Sequence, residues 1–231
     1  MGFLSRLLHM GPRLAPALED RLQRLSEVSP PPMRNRHRAS RYVTVGVETL
    51  GLDLRHDQVL SIGAVAVEQC AITLADCFEV VLRQPKATTG DNILVHRIGG
   101  ERQIGGEDPA ESLLEFLEHV RHCPLVAFRA EFVQTMIDRA LQGVLGTISQ
   151  SPWLDLTKLL PALYPSNANK SMDDWLAMMN IRRVAGHGAL ANAMAAAQLL
   201  LVCLHRAETL EMTCPADLLE MQKAQNWLGK G

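Results

Sequence analysis

Apolar and polar residues along this chain follow two different periods, and the change between them divides the fold. YVTVGVE (42–48) and QVLSIGAVAVE (58–68) are β-rich runs separated by the turn-forming stretch LGLDLRHD, which reads as two strands and a loop. ITLADCFEVVLR (72–83) supplies a third run, so the domain is predicted to open with a three-stranded antiparallel meander. The spacing then becomes helical. DPAESLLEFLEHV (108–120) places apolar residues at 113, 114, 117 and 120 behind an Asp-Pro start, which predicts a well-capped helix. CPLVAF reads as a short buried strand, EFVQTMIDRALQGVL as a helix, and PWLDL as another short strand leading into TKLLPALY. SMDDWLAMMN is a capped helix. GALANAMAAAQLLLVCLHRAE (188–208) is long and nearly all apolar, the mark of a helix buried on most sides. Strands first and alternating helices and strands afterwards predict one α/β domain with a mixed sheet and helices on both faces.

The ends are organised differently. Leu14, Leu18, Leu22 and Leu25 recur at helical spacing, and SPPPM at 29–33 stops that helix. Residues 1–40 therefore read as a helical extension with a Pro- and Arg-rich linker, 41–208 as the domain, and 209–231 as a helical tail. Apolar positions on the tail (Leu218, Leu219, Met221, Trp227, Leu228) serve either to dock it on the core or to pair two chains.

Composition narrows the class. At 231 residues, 47% hydrophobic and 21% charged, the chain has the make-up of an ordinary globular protein. Aromatics make up only 4%, which argues against a base-stacking platform. Five cysteines without a Cys-x-x-Cys pair predict a reduced, cytoplasmic protein with no zinc site. No uninterrupted run of about 18 apolar residues occurs, so no membrane partner is expected. The net charge of −2 hides an asymmetry: residues 1–41 carry eight arginines against three acids, leaving the remainder acidic. The basic arm is either a solvated amphipathic helix on a flexible joint or a contact for nucleic acid or an acidic partner protein.

Three stretches carry the chemistry: Gly46-Val47-Glu48-Thr49-Leu50-Gly51, Phe128-Arg129-Ala130-Glu131-Phe132-Val133, and HGALAN from His187 to Asn192. In this order they resemble the motifs of the DEDDh 3′–5′ exonucleases, the DnaQ-like superfamily of the proofreading epsilon subunit of DNA polymerase III. The resemblance covers about residues 41–208 and implies a ribonuclease H-like fold. Family members carry Asp-x-Glu-Thr-x-Gly, then His-Asn-Ala-x-Phe-Asp, then His with Asp five residues on. By that resemblance Glu48 and His187 match catalytic positions, while Gly46, Val133 and Asn192 stand where the family has metal-binding aspartates. Thr49 and Leu50, with His96 and Ile98 of VHRIGG, match positions that lie against the terminal nucleotide.

The family's two-metal hydrolysis, with Mg²⁺ or Mn²⁺, needs hard oxygen ligands whose charge offsets that of the ions. One carboxylate of four survives, so Glu48 is a weak metal ligand at best and no tightly bound cofactor is expected. His187, the match to the general base, lacks a metal-activated water to deprotonate. The expectation is an inactive homologue acting as a nucleotide- or nucleic-acid-binding or regulatory module. The alternative is a weak Mg²⁺- or Mn²⁺-dependent 3′–5′ exonuclease acting on DNA or RNA ends. The pocket either stays open to a nucleotide or nucleic-acid 3′ end, or is filled by Val133 and Phe128. Restoring Asp at 46, 133 and 192 together is expected to recover Mg²⁺ binding.

Overall fold

The structure, a computed structural model, describes residues 14–87, 98–165, 170–183, 186 and 188–228. Five strands, β1 (Arg41–Thr49), β2 (Val59–Glu68), β3 (Ala71–Val81), β4 (Leu125–Ala127) and β5 (Trp153–Asp155), form one sheet in the order β3-β2-β1-β4-β5. The first three pair antiparallel, and β1–β4 and β4–β5 pair parallel. This is the mixed sheet that the change of period predicts.

Strand alternation sorts the core into two layers. Val43 and Val45 of β1, with Ile62, Ala64, Leu125 and Ala127, face one side. There they meet α3 (Pro109–Val120) and α4 (Ala130–Leu145), which supply Leu113, Phe116, Met136 and Ile137. Tyr42, Val65, Val67, Val126 and Leu154 face the other side. That layer is closed by α5 (Leu156–Leu163), α6 (Met172–Met178) and α7 (Ala189–Glu208). A short α2 (Gly100–Ile104) has no counterpart in the hydrophobic pattern, because five residues are too few to show a period.

Capping residues set the helix starts. Asp108 accepts from the backbone N–H groups of Ala110 and Glu111 ahead of α3, and Ser171 with Asp174 forms a reciprocal capping box on α6. Helix α7 needs a different explanation. Its 20 residues and mean hydropathy of 1.3 would suffice for a membrane span by length and composition, which a search for uninterrupted apolar runs overlooks. Here Ala193, Ala196, Ala197, Leu200 and Cys203 are buried against the sheet and its neighbouring helices.

Both ends pack onto this body. Leu14, Leu18, Leu22 and Leu25 of the segment around α1 (Pro16–Ser26) lie against the α3 side of the core. Arg21 bridges Glu111 and Glu118 of α3. The expected flexible joint is instead held in place. His37 is fully buried, its Nδ1 lies 2.6 Å from the Tyr42 hydroxyl, and its backbone N–H donates to Thr213 O at 2.9 Å. Ala216 N–H donates to Met33 O at 3.0 Å. The α8 helix (Pro215–Leu228) docks through Leu218, Leu219 and Met221; the side chains of Trp227 and Leu228 lie outside the described residues. Proline stops the first helix, but hydrogen bonds to the distant tail fix the chain beyond it.

Candidate functional site

The C-terminal half of β1 carries the candidate residues, because alternation turns Gly46 and Glu48 toward α7. Gly46 pairs with Gly63 across the β1–β2 ladder, and α7 begins directly over this pair. A Cβ on Gly46 would overlap the Ala189 carbonyl oxygen and stand 2.9 Å from both Ala193 N and Asn192 Cβ. A Cβ on Gly63 would overlap the backbone of Ala189 and Leu190. Two glycines thus let the helix approach the sheet more closely than any other residue allows. The Thr44 hydroxyl, donating to Ala193 O at 2.8 Å, fastens the same contact.

Close packing places Asn192 beside Glu48: Asn192 Nδ2 donates to Glu48 Oε1 at 3.1 Å. Asn192 Oδ1 in turn accepts from Arg183 Nη2, and Arg183 Nη1 donates to Asp173 Oδ1 at 2.6 Å. A single network therefore runs Asp173–Arg183–Asn192–Glu48. Burial raises the Glu48 carboxyl above its ordinary range; the Arg183 charge and the Asn192 hydrogen bond oppose that shift.

A cleft of about 670 Å³ opens beside the network. Gly46, Val133 and Asn192, remote in sequence, all line it, so the three positions do converge. Val133 is 5% exposed and forms wall with Phe128, yet the two leave the cleft open. Arg129, Lys170 and Arg183 also line it, whereas no carboxylate does among the described residues. Arg129 has a left-handed backbone (φ 64°) immediately before α4. Neither Arg129 nor Lys170 forms an ion pair among the described residues; Lys170 acts on Asp174, whose oxygens are engaged by Ser171.

The remaining expected positions are placed unevenly. The Thr49 hydroxyl donates to Gly51 O at 2.6 Å and Leu50 N–H to Gln58 O at 3.0 Å, so both are used inside the turn after β1. Ile98 is buried at 6% exposure. His96 and His187 lie outside the described residues. Among the described acids, Asp138 and Asp155 are engaged elsewhere. Asp138 accepts from Ser149 N at 3.0 Å, and Asp155 caps α5 through Thr157 N at 2.9 Å.

This donor set does not fit a pair of divalent ions. Among the described residues no three His, Cys, Asp or Glu side chains gather as metal ligands. The one carboxylate at the converging positions already shares a network with a guanidinium, adding positive charge where ions would need negative. No metal-dependent step is assigned to these residues. Sequence reasoning missed Arg183, Lys170 and Arg129. The only sign of Arg183 was the Arg182-Arg183 pair ahead of HGALAN, which by itself reads as solvated charge.

Comparison with known proteins bears on the fold. No family model matches the chain. It is 25% identical over 179 residues to a PolC-type DNA polymerase III of Caldanaerobacter subterraneus, covering 77% of this chain and 12% of that polymerase. The PolC-type enzyme of Thermotoga maritima is 24% identical over 185 residues, with 80% and 13% covered. The chain thus spans about an eighth of the length of these relatives. Among solved structures, E. coli Exonuclease I in complex with a dT13 oligonucleotide superposes with a TM-score of 0.59 at 13% identity, covering 74% of this chain and 42% of that one. Exonuclease X in complex with 5′ overhanging duplex DNA gives 0.58 at 17% identity, with 78% and 99% covered. The fold is that of the exonucleases, ribonuclease H-like. Sequence and fold together make the chain a homologue of the DnaQ-like 3′–5′ exonuclease superfamily.

Proposed function

We propose that this protein is a DnaQ-like exonuclease homologue that does not hydrolyse phosphodiesters and instead binds a nucleotide or a nucleic-acid end. One observation carries the reading. Gly46, Val133 and Asn192 converge on a single cleft, and the one carboxylate left at the four family positions, Glu48, is tied there through Asn192 to Arg183. Hydrolysis in this family resembles a two-metal reaction, and one carboxylate cannot balance two divalent ions. Binding needs only the cleft and its cations, both of which are present. The DNA-bound Exonuclease I and Exonuclease X structures support nucleic acid as the ligand class. Five unpaired cysteines suit a reducing compartment such as the cytoplasm.

The purified protein, incubated with single-stranded DNA or RNA and Mg²⁺ or Mn²⁺, is expected to release no nucleotides. Mn²⁺-stimulated release that disappears in Glu48→Ala would overturn the proposal in favour of a weak exonuclease. Binding of a labelled oligonucleotide by the same preparation tests the other half.

A further inference from the structure

The charge of the cleft is more specific than general nucleic-acid binding requires. Arg21 meets two carboxylates, Glu111 and Glu118, and Arg41 meets Glu68 and Asp76. Of the three cations lining the cleft, Arg183 alone forms an ion pair among the described residues, with Asp173, whose side chain is 74% exposed, and its charge also acts on Glu48. Arg129 forms no ion pair among the described residues, and Lys170 acts on Asp174 only from beyond ion-pair distance, the oxygens of that carboxylate being engaged by Ser171.

Arg183 itself is held ready. Asp173 and Asn192 fix its two terminal nitrogens, while its Nε is buried without an acceptor among the described residues. A guanidinium has five N–H donors and no acceptor. Nη1 and Nη2 each keep a second N–H beyond the bonds to Asp173 and Asn192, the donors that an oxyanion in the cleft would meet. Phe128 and Met172 provide apolar surface beside the charges. The volume, about 670 Å³, lies within the range of small-ligand clefts (roughly 300–1,000 Å³). It suits one nucleotide and is too small for a duplex.

Resting on the nucleotide-binding reading above, we infer that Arg129, Lys170 and Arg183 form a metal-independent site for a phosphate monoester, carried by a mononucleotide or by the end of a strand. A monoester bears about −1.5 to −2 at neutral pH, with a second pKa near 6, and so gains more from Arg129 and Lys170 than a singly charged group does. An internal phosphodiester bears a single charge and matches less well. Arg183 supplies fixed positive charge and planar donors to oxygen atoms. Because that charge belongs to the chain, a chelator cannot remove it.

The test titrates the full chain, in EDTA and in Mg²⁺, with a nucleoside 5′-monophosphate, the unphosphorylated nucleoside, and inorganic phosphate. Labelled oligonucleotides ending in a 3′-phosphate, a 5′-phosphate or hydroxyls only are titrated alongside. Expected is binding of phosphate-ended ligands that is unchanged by EDTA and weakens as pH falls below about 6. Arg129→Ala and Lys170→Ala, both at the surface, should each weaken it roughly tenfold or more while the melting temperature holds. Arg183→Lys, which keeps the charge and loses the planar fork, should weaken it less than Lys170→Ala.

Preference for one ligand names the source of the phosphate: the mononucleotide, one strand end or the free anion. Binding that requires Mg²⁺ overturns the inference. So does oligonucleotide binding indifferent to a terminal phosphate, or to the three substitutions, although nucleic-acid binding would then stand. If no nucleotide, oligonucleotide or phosphate binds at all, the proposed function itself falls.

Discussion

Two groups of cations in this molecule are built in opposite ways. Arg41, at the start of β1, is only 14% exposed and is surrounded: Nε lies 2.9 Å from Glu68 Oε1 and Nη2 2.8 Å from Asp76 Oδ2. At the other end of the same strand, Arg129 and Lys170 line a cleft with no ion pair among the described residues. The first arrangement uses its charges inside the chain and holds β1 to β2 and β3. The second leaves Arg129 unpaired among the described residues and Lys170 facing only Asp174, which Ser171 already engages. Burial and pairing mark scaffold, and uncompensated charge beside an open cleft marks a site. At the converging positions Glu48 is held by Asn192 and Arg183, and the cleft beside them stays open rather than filled by Val133 and Phe128.

Substitutions that distinguish the two ends differ in size. The largest effect belongs to the seat between them. Gly46→Ala should destabilise by about 3 kcal/mol, since overpacking a rigid backbone contact costs about 1–3 kcal/mol and occasionally more. For a chain of this length that lowers Tm by roughly 6–12 °C. Gly46→Asp should be worse. The expectation that restoring three aspartates recovers Mg²⁺ binding is corrected accordingly, because α7 already occupies the space a Cβ needs. A Gly46→Asp protein with an unchanged melting curve would show that the helix does not press on this glycine.

Next in size, Arg41→Ala strands two carboxylates and should cost about 2 kcal/mol, between the ranges for exposed and buried pairs. In thermal melts Arg129→Ala should stay within about 0.5 kcal/mol of the parent, as surface changes usually do. The comparison breaks if Arg129→Ala proves as destabilising as Arg41→Ala, for its cation would then be structural too.

A smaller effect concerns the clasp between the N-terminal segment and the tail. Burial lowers the pKa of His37, opposed by its hydrogen bond to Met212 O and by Glu208 and Asp217. The folded state therefore binds fewer protons than the unfolded one, so this contribution is present above about pH 6.5 and lost as pH falls below it. Burial also lowers His119, aided by Arg41 and Arg121 and opposed by Asp76, which adds in the same direction. Tm should fall between about pH 7.5 and about pH 5.5 as these histidines become protonated, and His37→Gln should flatten part of that slope. An unaltered slope would remove His37 from the account.

Smallest is Glu48→Gln. Burial raises the folded pKa of Glu48, so its contribution is fully present below the unfolded carboxyl value and lost as pH rises through the folded one. A glutamine side chain there keeps an acceptor for Asn192 without the charge. The variant should therefore melt slightly higher than the parent at about pH 7 and converge with it near pH 4. Equal melting at both pH values would mean that Arg183 fully offsets the burial.

Much of the frame was legible in the chain because it rests on local regularities. Alternation in YVTVGVE and SIGAVAV sets which residues of β1 and β2 face each layer, and Asp108 and Ser171 announce their helices. The convergence of Gly46, Val133 and Asn192 followed from motif order. Less legible was what those residues do together. Arg183 and Asn192 are nine residues apart and Asn192 and Glu48 are 144 apart, so no period or spacing links them.

By itself, then, the sequence determined the strand and helix order, the two apolar layers, and the loss of three aspartates from one family pattern. Each is a property of side-chain period or residue identity, which local chain geometry expresses directly. Only the tertiary structure decided that α7 sits on the Gly46–Gly63 pair, that the tail clasps His37, and that Arg183 joins Asp173, Asn192 and Glu48 in one network. Those outcomes depend on where distant segments meet in space, and a guanidinium at the end of a long side chain takes its role from whichever acceptors the fold brings within reach.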